Sequence, residues 1–479
     1  MSTRTRLAVA LSLALPLAVL AACGGDESTT GSSASESSGG EDQSMTAMAK
    51  RVENKGPGTA QAGVSTATKK PIELLKTPPV PTLAAVSPEG EQAGPSAWGA
   101  PETEAGTPLP KRPELSGKAL DEYNDGVQAA RAGQMDQAKT HFQAAVSADQ
   151  KAYEAEYNLG VIADRQGNPD EALQHYQRAL RIQPDYEAAV QGTVNITLRR
   201  GTPDQAVQYV EPIANQWQRN LYLQAIYADV LVRADRVDEA ERVARRALAR
   251  DERFVPAILA LAKASDRRGR KELAESTLEQ AKEIDANNPE VHFLQGKAYQ
   301  RKGELALALA SYRKAVELNP DYAEARMALG IQFMASGNYN EGLQQFEAVA
   351  KLVPTLVQAQ LNLGDAYRAL RRWQDAKKAF DKALRMQTQL PEAHYNLALM
   401  YMAAGAEFPG LTELDALDRA LGEFNTYRSQ VGAKLPPGDA SAAHMTDIQR
   451  RIEREKKRIE REKAKADKEA QRKAREGAK

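Results

Sequence analysis

The chain of 479 residues has a single cysteine, Cys23, and only five histidines. One thiol excludes an internal disulfide framework. His141, His175, His292, His394 and His444 are scattered and offer no paired metal spacing, so no metal site is expected. Aromatic residues make up 6% of the chain, and the core must rest on smaller side chains. Net charge is missing too, with 64 Lys and Arg against 64 Asp and Glu. Without a basic excess or a binding module, a nucleic-acid partner is not expected. Beyond the run from Leu7 to Leu20 no stretch is apolar enough to span a bilayer. No Gly-rich phosphate loop and no nucleophile elbow occur. Nothing therefore points to catalysis, a cofactor or a small-molecule substrate.

What the chain does have is a beat of thirty-four residues. It passes through Gly133, Gly167, Gly201, Asp235, Gly269, Gly303, Gly337, Arg371 and Gly405. Five residues after the first eight stand Ala138, Ala172, Ala206, Ala240, Ala274, Ala308, Gly342 and Ala376. Small residues at a fixed period mark stacked helical hairpins. They let helices approach closely, and Gly at a helix end takes the positive backbone angle of the turn. Nine units fit, starting at Ala119, Tyr153, Glu187, Leu221, Val255, Pro289, Ala323, Val357 and Pro391.

The sixth to eighth units, as in "PEVHFLQGKAYQRKGELALALASYRKAVELNP", strongly resemble tetratricopeptide repeats. Gly160, Gly296, Gly330 and Gly364 match the family's Gly, and Tyr299, Tyr367 and Tyr401 match its first-helix Tyr. Tyr176, Tyr312, Phe346 and Phe380 match the second-helix aromatic, and Pro184, Pro320 and Pro354 the closing Pro. The third to fifth units keep only the phase and the small residues. The resemblance implies an all-α, right-handed superhelical solenoid of about nine hairpins over residues 119–434.

At the amino end Arg4 and Arg6 precede the apolar run, which leads to Leu20-Ala21-Ala22-Cys23. Residues 1–22 read as a secretory signal. The ending resembles a bacterial lipobox, which implies lipidation of Cys23 and attachment to a membrane by two or more acyl chains. From Gly24 to about Lys118 the chain is Ser/Gly-rich, acidic, then Pro-rich, and is read as a disordered linker. Some ninety flexible residues span roughly 50 Å root-mean-square. Within it Ile72, Leu74 and Leu75, and the isolated Trp98, are either short docking motifs or incidental apolar residues of the linker.

Unit nine carries the extra segment "AEFPGLTELD", and "GAKLPPGD" then breaks the chain. Residues 435–479 are read as a linker and one exposed charged helix, with Glu453–Lys457 and Glu469–Lys473 at four-residue spacing. Its apolar residues Ile448, Ile452 and Ile459 are too few for a coiled-coil seam. A basic arm for an anionic surface is the alternative.

In the family that the repeats resemble, positions 2, 5, 9, 12 and 13 of each first helix line the concave face. Position 13 reads Arg131, Arg165, Arg199, Arg233, Arg267 and Arg301, then Ala335, Ala369 and Ala403. Such a ladder suits a carboxylate- or phosphate-bearing ligand. A cation there also favours the helix dipole, and Asp164, Asp229 and Asp266 stand near enough to neutralise part of the ladder. The last units put Met327, Ile331, Met334, Leu361, Tyr395, Leu399 and Met402 at groove positions, a surface for a partner helix or peptide, or for the tail folded back. Leu329 and Leu363 should face the core.

The order of lipobox, linker, repeats and charged tail is similar to tetratricopeptide lipoproteins of the myxobacterial gliding-motility machine. The resemblance implies a non-enzymatic scaffold that faces the periplasm and joins envelope proteins of a multiprotein complex. An assembly factor for pili, exopolysaccharide export or outer-membrane proteins has the same signature, and an activator of a cell-wall enzyme is the reading from another class. Gly24 and Gly25, rather than aspartate, follow Cys23, which favours the outer membrane.

Overall fold

A computed structural model describes residues 107–435 and 438–477. Cys23, the signal before it and the linker positions Ile72, Leu74, Leu75 and Trp98 lie outside them. The described residues hold nineteen α-helices and no strand. The first four hairpins are α1 (Gly117–Arg131) with α2 (Met135–Ala148), α3 (Tyr153–Arg165) with α4 (Pro169–Ile182), α5 (Glu187–Arg200) with α6 (Pro203–Gln216), and α7 (Leu221–Arg233) with α8 (Val237–Leu248). Three more follow: α9 (Val255–Arg267) with α10 (Lys271–Ile284), α11 (Pro289–Arg301) with α12 (Leu305–Leu318), and α13 (Ala323–Ala335) with α14 (Tyr339–Leu352). The last are α15 (Val357–Ala369) with α16 (Trp373–Met386), and α17 (Pro391–Ala404) with α18 (Glu413–Val431). A long α19 (Ser441–Glu476) closes the chain.

Each hairpin turns where the period places its glycine. Gly133, Gly167, Gly269, Gly303 and Gly337 take φ between 77° and 84°. The N–H one residue beyond reaches back to a helix carbonyl, as in Asn168 to Ala163 at 2.9 Å, and so closes the helix end. The two positions that depart from Gly, Asp235 and Arg371, are forced into the same region at φ 61° and 57°. Gly201 does not take it. Its φ is −138°, because Thr202 and Gln205 form a capping box that starts α6 directly.

The small residues admit rings. Tyr176, Tyr312, Phe346 and Phe380 are buried against the first helix of their own units, over Gly160, Gly296, Gly330 and Gly364. Ala138, Ala172, Ala206, Ala240, Ala308 and Ala376 are completely buried beside them. The solenoid also curls back on itself. Arg165 at the end of α3 lies 2.7 Å from Asp321 in the turn before α13, 156 residues on.

The tail departs from a wholly solvated helix. Ile448 and Ile452 of α19 are buried in the same cluster as Leu397, Tyr401 and Phe424, so its first turns cap the last hairpin. Arg451 fastens it, donating to the Met402 carbonyl at 2.9 Å and to Glu413 at 2.6 Å. Past Ile459 the helix is exposed. Arg458 bridges Glu455 and Glu462, and further along Arg472 meets Glu476. At the other end residues 107–116 form a strap without regular structure, whose Leu115 packs on the first-unit core.

Candidate functional site

The arginine ladder is built as a seam between repeats. Arg199 holds both oxygens of Asp164 at 2.5 and 2.8 Å, one unit back. Arg301 reaches Asp266 at 2.7 Å in the same one-unit step. Arg267 meets Asp235 at 2.7 Å, and Arg233 meets Asp229 at 2.9 Å along its own helix. Arg165 is the cation of the long-range contact to Asp321. Arg131, at the end of α1, is exposed. Five of the six guanidiniums thus face carboxylates of the chain itself.

The apolar groove is largely filled from within. Met334 and Leu361 are buried, 5% and 6% exposed, and belong to the core with Leu329 and Leu363 rather than to an open surface. The reason is packing against second helices and the next unit, with Met334 clustered with Leu343 and Phe346, and Leu361 with Trp373, Leu390 and Leu397. Met334 also lies over the small Gly342. Tyr395 meets Phe424, Tyr427 and His444 of the cap at 5.4, 5.0 and 6.4 Å. Leu399 and Met402 pack half-buried on the cluster that α19 completes. Met327 and Ile331 are half-buried, and the Met327 sulfur accepts from the Asn362 amide at 2.9 Å.

A different feature lies inside the curve of units four to seven, and position-by-position reading of the ladder missed it. Position 9 runs Asp229, Lys263, Lys297 at the repeat spacing, and Glu290 and Glu324 occupy position 2. Lys263 bridges Asp229 at 2.5 Å and also contacts Glu290. Burial raises the Asp229 carboxyl, but Lys263 and Arg233 outweigh it and hold the group well below the usual carboxylate range. Burial pushes Lys297 down, a trend that Asp266 opposes and Lys263 reinforces. Its ammonium lies 5.8 Å from the Phe293 ring. Glu324 keeps accessible surface, yet the surrounding wall thins its hydration and raises its carboxyl despite Arg233. The signal was legible as charge recurring at positions 9 and 2 of consecutive units.

The histidines serve the fold. His141 contacts Glu122 at 2.8 Å, and His175 repeats this with Glu156 at 2.6 Å one unit later. His394 meets Glu423 at 2.7 Å, and His292 bonds the Ala286 carbonyl at 2.9 Å. Among the described residues no three His, Cys, Asp or Glu are grouped to hold a metal ion. No described helix is long and apolar enough to cross a membrane.

Tetratricopeptide-repeat models match residues 125–187 and 361–407, and a second one matches 164–230 and 231–298. A TPR-repeat model matches residues 296–334. No curated protein sequence matches the chain. Among solved structures, the APC/C hetero-tetramer Cut9–Hcn1 is similar at 14% identity over 69% of this chain and 76% of that one, with a TM-score of 0.44. MamA is 25% identical over 32% of this chain and 90% of that one, TM-score 0.28. YrrB, a TPR protein with an unusual peptide-binding site, is 23% identical over 39% of this chain and 97% of that one, TM-score 0.29. With its hairpins, its turn glycines and the family models that match residues 125–334 and 361–407, the chain is a tetratricopeptide-repeat protein.

Proposed function

We propose that the chain is a non-enzymatic scaffold of the bacterial cell envelope. It is tethered through lipidated Cys23, on the outer membrane, and holds partner proteins against the concave side of its repeats. Gliding motility is the process to which we assign it. The observation that carries the partner-binding part is the charged band of units four to seven. Lys297 and Glu324 stand there with their ionised forms disfavoured by dehydration. A repeat core has no need of such groups, and strained charges of this kind concentrate where a protein meets its ligand.

The test is co-purification from cells that carry a tagged full-length chain with Lys297→Ala and Glu324→Ala. Loss of partners with unchanged helicity is the expected result. An unchanged partner set from a folded variant counts against the band as the binding surface. Cys23→Ala addresses the tether separately. Fractionation should move the protein off the membrane, and retention after peripheral proteins are stripped would refute the anchor.

A further inference from the structure

The strap before α1 sits on the repeats as a bound peptide would. Residues 107–116 form neither helix nor strand, and Pro108, Pro110 and Pro113 favour extended backbone there. Arg112 places Nη2 3.1 and 2.8 Å from the two Glu187 carboxylate oxygens, at the start of α5. The same guanidinium lies 6.0 Å from the Tyr186 ring centroid. Gln183 donates to the Pro110 carbonyl at 3.4 Å. Below Arg112 the floor is aromatic and closely packed. Tyr186 is buried and meets Tyr153 and Tyr157 edge-on, at 4.8 and 5.5 Å.

Leu115 anchors the strap on the first-unit core, but the grip at Arg112 is light. Arg112 and Glu187 keep 44% and 24% of their side-chain surface, and Leu109 and Lys111 are exposed. Exposed ion pairs of this kind exchange readily. The receptor, in contrast, is charged to want a cation. Glu154 is raised by burial, and the Tyr153 hydroxyl and Arg112 act to lower it. Asp185 and Glu187 add their charges beside the same guanidinium. An aromatic floor with acidic walls fits an arginine between prolines, since cation–π and charge-assisted contacts act together.

We propose that the surface formed by Tyr153, Tyr186 and Glu187 is a binding site for an extended peptide bearing arginine and proline. Residues 107–116 fill it in cis, and a partner protein's segment of the same chemistry displaces them. This rests on the scaffold reading only in taking the natural ligand to be a partner protein. It adds a second surface, distinct from the charged band of units four to seven.

The test uses the full chain and a fluorescently labelled synthetic peptide of residues 107–116, followed by anisotropy. A segment joined to its own site acts at an effective concentration of about 1 mM. A peptide of intrinsic Kd about 100 µM should therefore bind the wild type about tenfold more weakly than an opened chain. Arg112→Gln opens it and should give that tenfold gain, and Arg112→Ala should do the same. Adding Glu187→Gln to Arg112→Gln should abolish the gain, as should a peptide with Gln in place of its arginine. Circular dichroism checks that each variant is folded. Equal binding to wild type and Arg112→Gln overturns the proposal. So does absence of binding to both, or binding that survives Glu187→Gln. Variants of Lys297 and Glu324 should leave this assay unchanged, so the band and the strap site stand or fall separately.

Discussion

Adding one methyl group at Gly160 tests the packing rule on which the repeats depend. A Cβ there would stand 2.5 and 2.7 Å from Cε1 and Cδ1 of Tyr176, and 3.1 Å from the Ala172 carbonyl oxygen. Relaxed carbon contacts fall near 3.5–4.0 Å, so the shortfall is about 1 Å. The ring has nowhere to go. Its opposite edge faces Gly192 of the next unit, where a Cβ would lie 2.7 Å from Cε2 and Cζ. Tyr157 closes a third side at 5.7 Å between centroids. Overpacking of this kind costs about 1–3 kcal/mol. Replacing Gly by Ala within a helix returns about 1 kcal/mol. With the ring clamped on both faces the cost takes the upper part of its range, and Gly160→Ala should lose about 1–2 kcal/mol net. A solenoid unfolds in parts, so the measurement is hydrogen exchange resolved by repeat. Amides of α3 to α6 should exchange about tenfold faster, the equivalent of 1.4 kcal/mol, with units eight and nine unchanged. Gly422→Ala is the control, because nothing lies within 4 Å of its Cβ position, and it should stabilise by about 1 kcal/mol. The cost of Gly160→Ala should shrink in a Tyr176→Leu background. Slower exchange in Gly160→Ala would refute the reasoning.

The Tyr176 hydroxyl is buried without a hydrogen-bond partner, so Tyr176→Phe should stabilise by up to about 1 kcal/mol, read as a higher urea midpoint; a lower midpoint would mean that the hydroxyl is satisfied. Glu324 has its folded pKa raised, chiefly by burial, so ionisation opposes folding above that pKa and not below the unfolded value near 4.3. Glu324→Gln should therefore raise Tm at pH 7 and leave it unchanged below about pH 4, and the reverse order would contradict the sign. Arg165→Gln and Asp321→Asn should each open the solenoid, seen as a larger radius of gyration by X-ray scattering at low salt. Equal dimensions for wild type and both variants would show that this pair does not hold the curl.

Much of the fold was legible because a period of thirty-four residues repeats one local decision. Gly133, Gly167, Gly269, Gly303 and Gly337 each solve the same turn, and the phase still predicts the turn where Asp235 and Arg371 stand. Gly201 shows the limit of the rule. Thr202 offered the backbone another way to start α6, and the positive angle was not needed. Facing was less legible. A position that lines a groove in one unit is enclosed in another according to what packs on it, as at Met334, seated over the small Gly342, and at Leu361. Nor did the pattern give the strap, since Pro-rich segments carry no periodic signal and Arg112 finds its partner 75 residues away. Cys23 and the envelope reading rest on the lipobox resemblance.

The ladder shows how a repeat makes the fold clear and its surface ambiguous. Any residue at a fixed repeat position meets both its own unit and the next. A cation at position 13 therefore comes within reach of an acid at position 12 one unit back. Asp164 with Arg199 and Asp266 with Arg301 realise that pairing. The Asp164–Arg199 pair is largely buried, so its attraction is set against the cost of dehydrating both charges, and the partly exposed Asp266–Arg301 pair contributes about 0–1 kcal/mol. Their use is in setting the step between units, because two charges on neighbouring repeats tolerate few relative rotations. The last three units lack the arginine, with Ala335, Ala369 and Ala403 at position 13. Packing holds them instead, through Leu361, Tyr395 and Met402 and through the cap of Ile448 and Ile452. The change of side chain at one repeat position thus marks a change in how the solenoid is joined. Binding surfaces are better sought where repeat residues remain strained, as at Lys297 and Glu324, than where they already satisfy one another.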